Sequence, residues 1–159
     1  MKIIAITGSH SSVGKTNLAR RLQDFLGARA HVVKIGHDRL KAKPETLCHS
    51  VEEARRTMEQ LSTEFVIVES NRAHDLRQPE LAIFIEGAKL RQKPSAARAK
   101  RRADIVIAQN LDLDAVRDVL VDKNLLGPED TNRLHTILAE YYHDYSKRNR
   151  QRPREENQA

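Results

Sequence analysis

The chain has 159 residues, of which 39% are hydrophobic, so it has the size and composition of one globular domain rather than of a disordered protein. Its apolar runs are too short for a transmembrane helix, and the amino terminus lacks the pattern of a signal peptide. Cys48 is the only cysteine, which excludes an internal disulfide or a multi-cysteine metal site and favours a reducing, cytoplasmic location.

The formal net charge of +6 comes largely from two basic segments, residues 89–102 and 147–154. Such an excess predicts an anionic partner, which could be a nucleic acid, an anionic small molecule or an acidic protein. Aromatic residues make up only 4% of the chain and Trp is absent, so that base stacking is a poor use for this charge. A solvated helix face and a flexible tail are the plainer interpretation, and we do not expect a nucleic-acid partner.

Apolar stretches rich in β-branched residues alternate with segments of helical periodicity along the chain. The stretches predict five buried strands, at residues 2–7, 31–35, 64–69, 81–86 and 104–108. The periodic segments predict helices at residues 17–26, 51–61, 95–102, 113–123 and 129–146. Ser50 and Glu53 form a capping box at the second of these helices, whereas residues 39–50 show no period and are predicted to be a loop.

Strands that are apolar throughout and alternate with helices indicate a parallel sheet covered on both faces. The predicted fold class is therefore α/β, with a mostly parallel sheet of about five or more strands and helices on both faces. We expect one nucleotide-binding domain over residues 1–146. Residues 147–159 are charged and lack apolar anchors, so they are predicted to form a disordered basic tail.

The segment between the first predicted strand and the first predicted helix reads Gly8-Ser9-His10-Ser11-Ser12-Val13-Gly14-Lys15-Thr16. A loop in this position aims backbone N–H groups and the positive end of the helix dipole at one point, where a phosphate can bind. Gly14 permits close approach, Lys15 would neutralise the β- and γ-phosphates, and Thr16 would offer a hydroxyl to Mg²⁺. The sequence thus predicts a P-loop for a nucleoside triphosphate, with further contacts from Asn17 and, to the base, from Asn110.

Carboxylates at the ends of neighbouring strands would complete a magnesium site, because ligands gather at the carboxyl ends of parallel strands. Glu69 ends the third predicted strand, and Asp38 follows the second. With Thr16 they are the predicted metal ligands, and Asp75 is a weaker reserve. Lys15 and Glu69 are the predicted catalytic residues. His37, beside Asp38, is a candidate base or ligand, although a lone loop histidine is more often only solvated.

The loop has the form G-x-x-S-x-V-G-K-T, which resembles the P-loops of dethiobiotin synthetase and the cobyrinate amidating synthases. These families belong to a branch whose dimeric members carry a second, signature lysine five residues before the main one. His10 occupies that position here. The resemblance implies Mg²⁺-dependent use of a nucleoside triphosphate without activation by a partner's lysine.

The wider layout resembles the B protein of molybdopterin-guanine dinucleotide biosynthesis (MobB), over roughly residues 1–110. The shared features are the amino-terminal P-loop, a Lys-x-x-His-Asp element at residues 34–38, a Val-Glu element at residues 68–69, Pro79 before a strand, and a later apolar strand that begins with Asp104. Ser70 and Asn71 stand where that family has glycine and an aromatic residue. The resemblance implies a small GTP-binding protein that assists attachment of a nucleotide to molybdopterin.

Two functions therefore remain open at the level of the sequence. One is an accessory, slow NTPase of molybdenum-cofactor biosynthesis, whose basic segment holds an anionic pterin or a partner enzyme. The other is an ATP-dependent synthetase or small-molecule kinase of the dethiobiotin-synthetase type. GTP and ATP are both allowed because no N-K-x-D guanine signature is present. Either function is compatible with a homodimer, and neither involves a membrane.

Overall fold

The computed structural model describes residues 1–10, 13–36, 46–88 and 92–151. The chain divides into two compact units, Met1–Ala108 and Gln109–Ala159. The first unit contains the β-sheet, and the second is helical. The single nucleotide-binding domain expected over residues 1–146 stays a prediction.

Among its described residues, the first unit contains six strands and three helices. The strands are β1 (Lys2–Gly8), β2 (Ala30–Ile35), β3 (Thr46–Cys48), β4 (Phe65–Glu69), β5 (Leu81–Ile85) and β6 (Ile105–Ile107). The helices are α1 (Lys15–Leu26), α2 (Val51–Glu59) and α3 (Pro94–Arg101). Single 3₁₀ turns lie at Gly27–Arg29 and Ala73–Asp75.

All six strands form one sheet in the order β3-β2-β4-β1-β5-β6, and every neighbouring pair is parallel. The central strand β1 pairs with β4 on one side and with β5 on the other. β4 and β5 are buried at every position, as expected for strands that are covered on both faces. The predicted α/β class with a parallel sheet is confirmed.

The helices lie on both sides of this sheet. Helix α1 links β1 to β2 in one direction across the sheet, whereas α3 links β5 to β6 in the opposite direction. Because such crossovers are right-handed, the two helices cover opposite faces. Helix α2 packs its buried residues Val51 and Ala54 into a cluster with Ile3 and Ala5 of β1. Burial of this apolar surface is the main source of stability of the unit.

The predicted loop at residues 39–50 is wrong in its last part, because Thr46–Cys48 forms strand β3 at the edge of the sheet. This strand pairs with Val33–Ile35 of β2. With three residues it is too short to show an alternating pattern. The Ser50 half of the predicted capping box is confirmed, since the Ser50 hydroxyl accepts from the Glu53 backbone N–H at 3.0 Å. The carboxylate of Glu53 accepts from the backbone of His49.

The second unit contains α4 (Leu113–Lys123) and α5 (Pro128–Gln151), and Asp112 caps α4. The apolar periodicity of α5 predicts five inward residues, of which Leu134, Leu138, Tyr141 and Tyr145 are buried and Ile137 is half-buried. Residues 147–151 are helical, so the predicted disorder of the tail is wrong for this part. Lys, Arg and Gln are good helix formers, and the first helix breaker is Pro153. Residues 152–159 lie outside the described part of the chain. Over the described ranges, no helix has both the length and the apolarity needed to span a membrane.

Candidate functional site

The loop at residues 8–16 leaves the carboxyl end of β1 and leads into α1. Gly14 is the residue before the first turn of α1, and its backbone is left-handed at φ 106°. An L-residue with a side chain rarely adopts this conformation, so glycine is required there. The first N–H groups of α1 have no partners within the helix and carry the positive end of its dipole. This end of the loop is therefore suited to an anion.

The start of the loop is packed so closely that it has no room for a side chain at Gly8. A Cβ atom at Gly8 would lie 2.5 Å from Val13 Cγ1 and 3.3 Å from Lys15 Cδ. The methylene stem of Lys15 therefore folds back over the beginning of the loop. This arrangement brings the ammonium side chain and the amino end of α1 to one small region.

We expect Gly8→Ala to destabilise the first unit by about 1–3 kcal/mol, because overpacking forces Val13 and Lys15 out of position. Chemical denaturation measures the change. Gly127→Ala is the matched control, because a Cβ atom there meets no atom within 4 Å. Equal stabilities of the two variants would contradict the close packing around Gly8.

The loop is held by the ends of both strands that flank β1. The Asn71 side chain, just after β4, forms two hydrogen bonds with Gly8: its Oδ1 accepts from Gly8 N–H, and its Nδ2 donates to Gly8 C=O, both at 2.8 Å. On the other side, Ser9 N–H donates to Ile85 C=O at 3.1 Å. The Ser9 hydroxyl accepts from Gly87 N–H at 2.7 Å. The backbone at residues 8 and 9 is therefore fixed from two directions.

Replacement of Asn71 by alanine should destabilise the protein by about 1–3 kcal/mol. The variant loses both hydrogen bonds to Gly8, and the buried backbone N–H and C=O groups of Gly8 lose these partners. Urea denaturation monitored by circular dichroism gives the value. Asn132→Ala, on the exposed surface of α5, serves as the control and should change little. Asn71→Asp should not rescue the loss, because a carboxylate cannot donate to Gly8 C=O.

Glu69, the last residue of β4, is 2% exposed and contacts two groups at the carboxyl edge of the sheet. Its Oε1 accepts a hydrogen bond from the Thr16 hydroxyl at 2.7 Å and lies 3.8 Å from Lys34 Nζ. Lys34 is the register partner of Glu69 on β2, and its side chain is 13% exposed. Glu69 Oε2 is buried and has no hydrogen-bond partner among the described residues. A buried oxygen in this condition can accept a cation or a hydrogen-bond donor.

The structure thus brings Thr16 and Glu69 of the predicted metal ligands together, whereas Asp38 and His37 lie outside the described residues. Asp75, the reserve ligand, is 53% exposed and pairs with Arg72 at 3.6 Å. Across the described ranges, no cluster of three or more His, Cys, Asp or Glu side chains is arranged for a metal ion. Within the described residues, the Glu69 carboxylate and the Thr16 hydroxyl form this part of the candidate site, with Lys34 beside them.

The other predicted nucleotide contacts differ in their surroundings. Ser9 and Val13 are buried, and the imidazole of His10 occupies the space where Gly87 lacks a side chain. Ser11 and Ser12 lie outside the described residues. Asn17 is exposed and accepts from Arg21 Nε at 2.9 Å, one turn along α1. Asn110 belongs to the second unit, where it is exposed with φ 63°. The roles of these residues in binding stay predictions.

Two residues of the site received no role from the sequence. In the sequence, Asn71 is only a departure from the family pattern that follows Glu69. Lys34 is only the first residue of the Lys-x-x-His-Asp element. Both stand at the carboxyl edge of a parallel sheet, and this position is a usable signal because ligands bind there. Searches of protein-family models, of curated proteins and of solved structures find no match to this chain.

Proposed function

We propose that this protein binds a nucleoside triphosphate together with Mg²⁺, in the loop at residues 8–16. The observation that carries the proposal is the hydrogen bond from Thr16, in the first turn of α1, to the buried carboxylate of Glu69. This pair lies beside the amino terminus of α1, which is preceded by Gly14 in a left-handed backbone conformation. In such a geometry, the helix amino terminus and an ammonium group bind the phosphates, and the hydroxyl group lies close to them.

Each residue has a distinct part in this proposal. The backbone N–H groups at the start of α1 hold phosphate oxygens, and Gly14 removes the side chain that would stand in their way. Lys15, folded over Gly8, neutralises the charge of the β- and γ-phosphates. The side chain of Asn71 keeps the loop in shape through Gly8. The backbone at Gly8 is therefore held in place before a ligand arrives, which lowers the entropy cost of binding.

The residues present fit Mg²⁺, because the ion prefers oxygen ligands and Glu69 Oε2 is a buried carboxylate oxygen without a hydrogen-bond partner in the described ranges. Thr16 and Glu69 would hold the ion, directly or through water, and Asp38 is the further proposed ligand. When bound, the ion would offset the negative charge of the polyphosphate. Until then the ammonium group of Lys34 supplies a positive charge to Glu69.

Isothermal titration calorimetry with ATP and with GTP, each with and without Mg²⁺, tests the proposal. We expect at least one triphosphate to bind, and Mg²⁺ to raise its affinity clearly. The corresponding nucleoside should not bind. The ratio of the ATP and GTP affinities gives the base preference. Absence of heat from both triphosphates in the presence of Mg²⁺ would refute the proposed function.

For the wider role, the proposal follows the resemblance of the loop and strand ends to the B protein of molybdopterin-guanine dinucleotide biosynthesis. The protein then acts in the cytoplasm as a slow NTPase, and exposed residues of the basic segment, such as Lys93, meet an anionic pterin or an acidic enzyme. A screen for phosphate release separates this role from that of a synthetase or kinase. An accessory protein stays slow with every small molecule, whereas a synthetase is accelerated by its own substrate.

A further inference from the structure

A cavity lies in the first unit, at the opposite edge of the sheet from the loop at residues 8–16. This cavity of about 460 Å³ is lined by His74, Gln78, Pro79, Ala82, Arg102 and Asp104. Ala82 is near the start of β5, and Asp104 comes just before β6, so the cavity adjoins the amino ends of the strands. Strand β5 separates it from the loop by roughly 15 Å, at about 3.3 Å per residue. A ligand in this cavity therefore cannot react with a phosphate held by the loop.

The floor of the cavity is small, apolar and firmly held. Pro79 and Ala82 are both buried. The backbone of Ala82 is fixed on both sides, because its N–H donates to Asp104 Oδ2 at 2.8 Å and its C=O accepts from Asp104 N–H at 2.8 Å. A preformed pocket with an apolar floor and a few polar groups at its wall is the usual form of a small-molecule site.

One of the polar groups in the wall is a buried atom that lacks a partner. His74 Nε2 is inaccessible to solvent and has no hydrogen-bond partner among the described residues. Burial lowers the pKa of His74, and the charge of Arg102 lowers it further, while Asp104 and Asp75 raise it. The imidazole is therefore neutral at neutral pH and offers one donor and one acceptor. A ligand that turns the ring toward the cavity and bonds to Nε2 would remove the cost of leaving this atom unsatisfied.

The charged groups of the wall define which ligand fits. Arg102 is exposed at the carboxyl end of α3, and its guanidinium has no ion-pair partner in the ranges that the structure describes. A guanidinium binds a carboxylate through two parallel hydrogen bonds. Asp104 stands in the same wall and would repel a ligand with two negative charges, but it would accept a hydrogen bond from an N–H group. Together, these residues favour a ligand with a single carboxylate that also carries an N–H donor.

We propose that this cavity is a binding site for a small amino carboxylate, with its carboxylate on Arg102 and its N–H group toward Asp104. His74 and the amide of Gln78 complete the polar contacts, and the apolar part of the ligand rests on Pro79 and Ala82. The proposal is independent of nucleotide binding, because none of its residues belongs to the loop at residues 8–16.

Two-dimensional ¹H–¹⁵N NMR on the full chain tests this site with 4-aminobenzoate, glycylglycine and L-glutamine as probes. We expect at least one of them to shift the backbone signals of residues 74–82 and 102–104. For a fragment of this size the dissociation constant should be on the order of millimolar. The amide counterpart 4-aminobenzamide should bind about tenfold more weakly than 4-aminobenzoate, because it lacks the charge that Arg102 binds.

Arg102→Gln should weaken binding of the best probe about tenfold, and His74→Phe should weaken it as well. The matched control is Arg98→Gln, because Arg98 is exposed on the same helix and does not line the cavity. The spectrum of each variant shows whether it is folded. If no probe shifts these signals, or if Arg98→Gln weakens binding as much as Arg102→Gln, the site is refuted. Lys15→Ala should leave the affinity for the probe unchanged, which separates this result from that of the nucleotide experiment.

Discussion

We expect Lys15→Ala to weaken the binding of the Mg²⁺–nucleoside triphosphate complex about 30- to 150-fold. A charge-assisted hydrogen bond contributes about 2–3 kcal/mol, and this variant removes the ammonium group together with the methylene stem that lies near Gly8. Calorimetry measures the affinity, and thermal unfolding without ligand shows whether the fold is kept. The stability should change little, because the side chain is only partly buried.

Lys147→Ala is the control for this variant, since it removes the same charge from an exposed position on α5. It should bind nucleotide like the unmodified protein. If the two variants bind equally well, the ammonium of Lys15 does not contact the polyphosphate, and the general positive charge of the chain accounts for any binding.

The second large effect is expected from Glu69→Gln, which should abolish most of the gain in nucleotide affinity that Mg²⁺ provides. An amide is a poor ligand for Mg²⁺ compared with a carboxylate, and the hydrogen bond from Thr16 would no longer reach a charged acceptor. Titration of a fluorescent nucleotide over a range of Mg²⁺ concentrations measures the effect. Binding without Mg²⁺ should be retained or improved, because a negative charge near the phosphates has been removed.

The same variant should also destabilise the protein without ligand, because it removes the buried negative charge that lies 3.8 Å from the ammonium of Lys34. The loss of one partner of a buried pair costs about 3 kcal/mol, and less where one partner still reaches solvent. Lys34→Met combined with Glu69→Gln should restore part of the lost stability. Glu64→Gln is the control, because its pair with Arg29 is exposed and contributes little. A Glu69→Gln variant that keeps its full response to Mg²⁺ would exclude Glu69 from the metal site.

Much of the fold could be predicted because the strands are apolar on both faces. The stretches around Ile4, Ile67 and Ile83 contain few polar residues, so that each could only be a buried strand of a covered sheet. Thr16 and Glu69 are predicted to share a metal site, because the loop after β1 and the end of β4 both lie at the carboxyl edge of the sheet. The distance of 2.7 Å between them agrees with this expectation.

The parts that were missed depend on contacts between segments that are far apart in the sequence. The role of Asn71 at Gly8 requires β4 to lie beside β1, and the sequence does not specify this strand order. Likewise, Lys34 meets Glu69 only through the register of β2 on β4. Strand β3 is defined by its partner β2, since three residues at an edge have no pattern of their own. Local patterns predict elements, whereas pairing and register arise from tertiary packing.

The position of β1 at the centre of the sheet affects the order of events during synthesis. Both of its neighbours, β4 and β5, are made later, and the partners of Gly8 and Ser9 are Asn71, Ile85 and Gly87. Strand β1 therefore leaves the ribosome long before its neighbours in the sheet are synthesised, and it stays unpaired until then. Nascent chains that stop before Gly87 lack the N–H group that bonds to the Ser9 hydroxyl. Such fragments should aggregate or recruit chaperones, whereas chains that extend past β6 can complete the sheet.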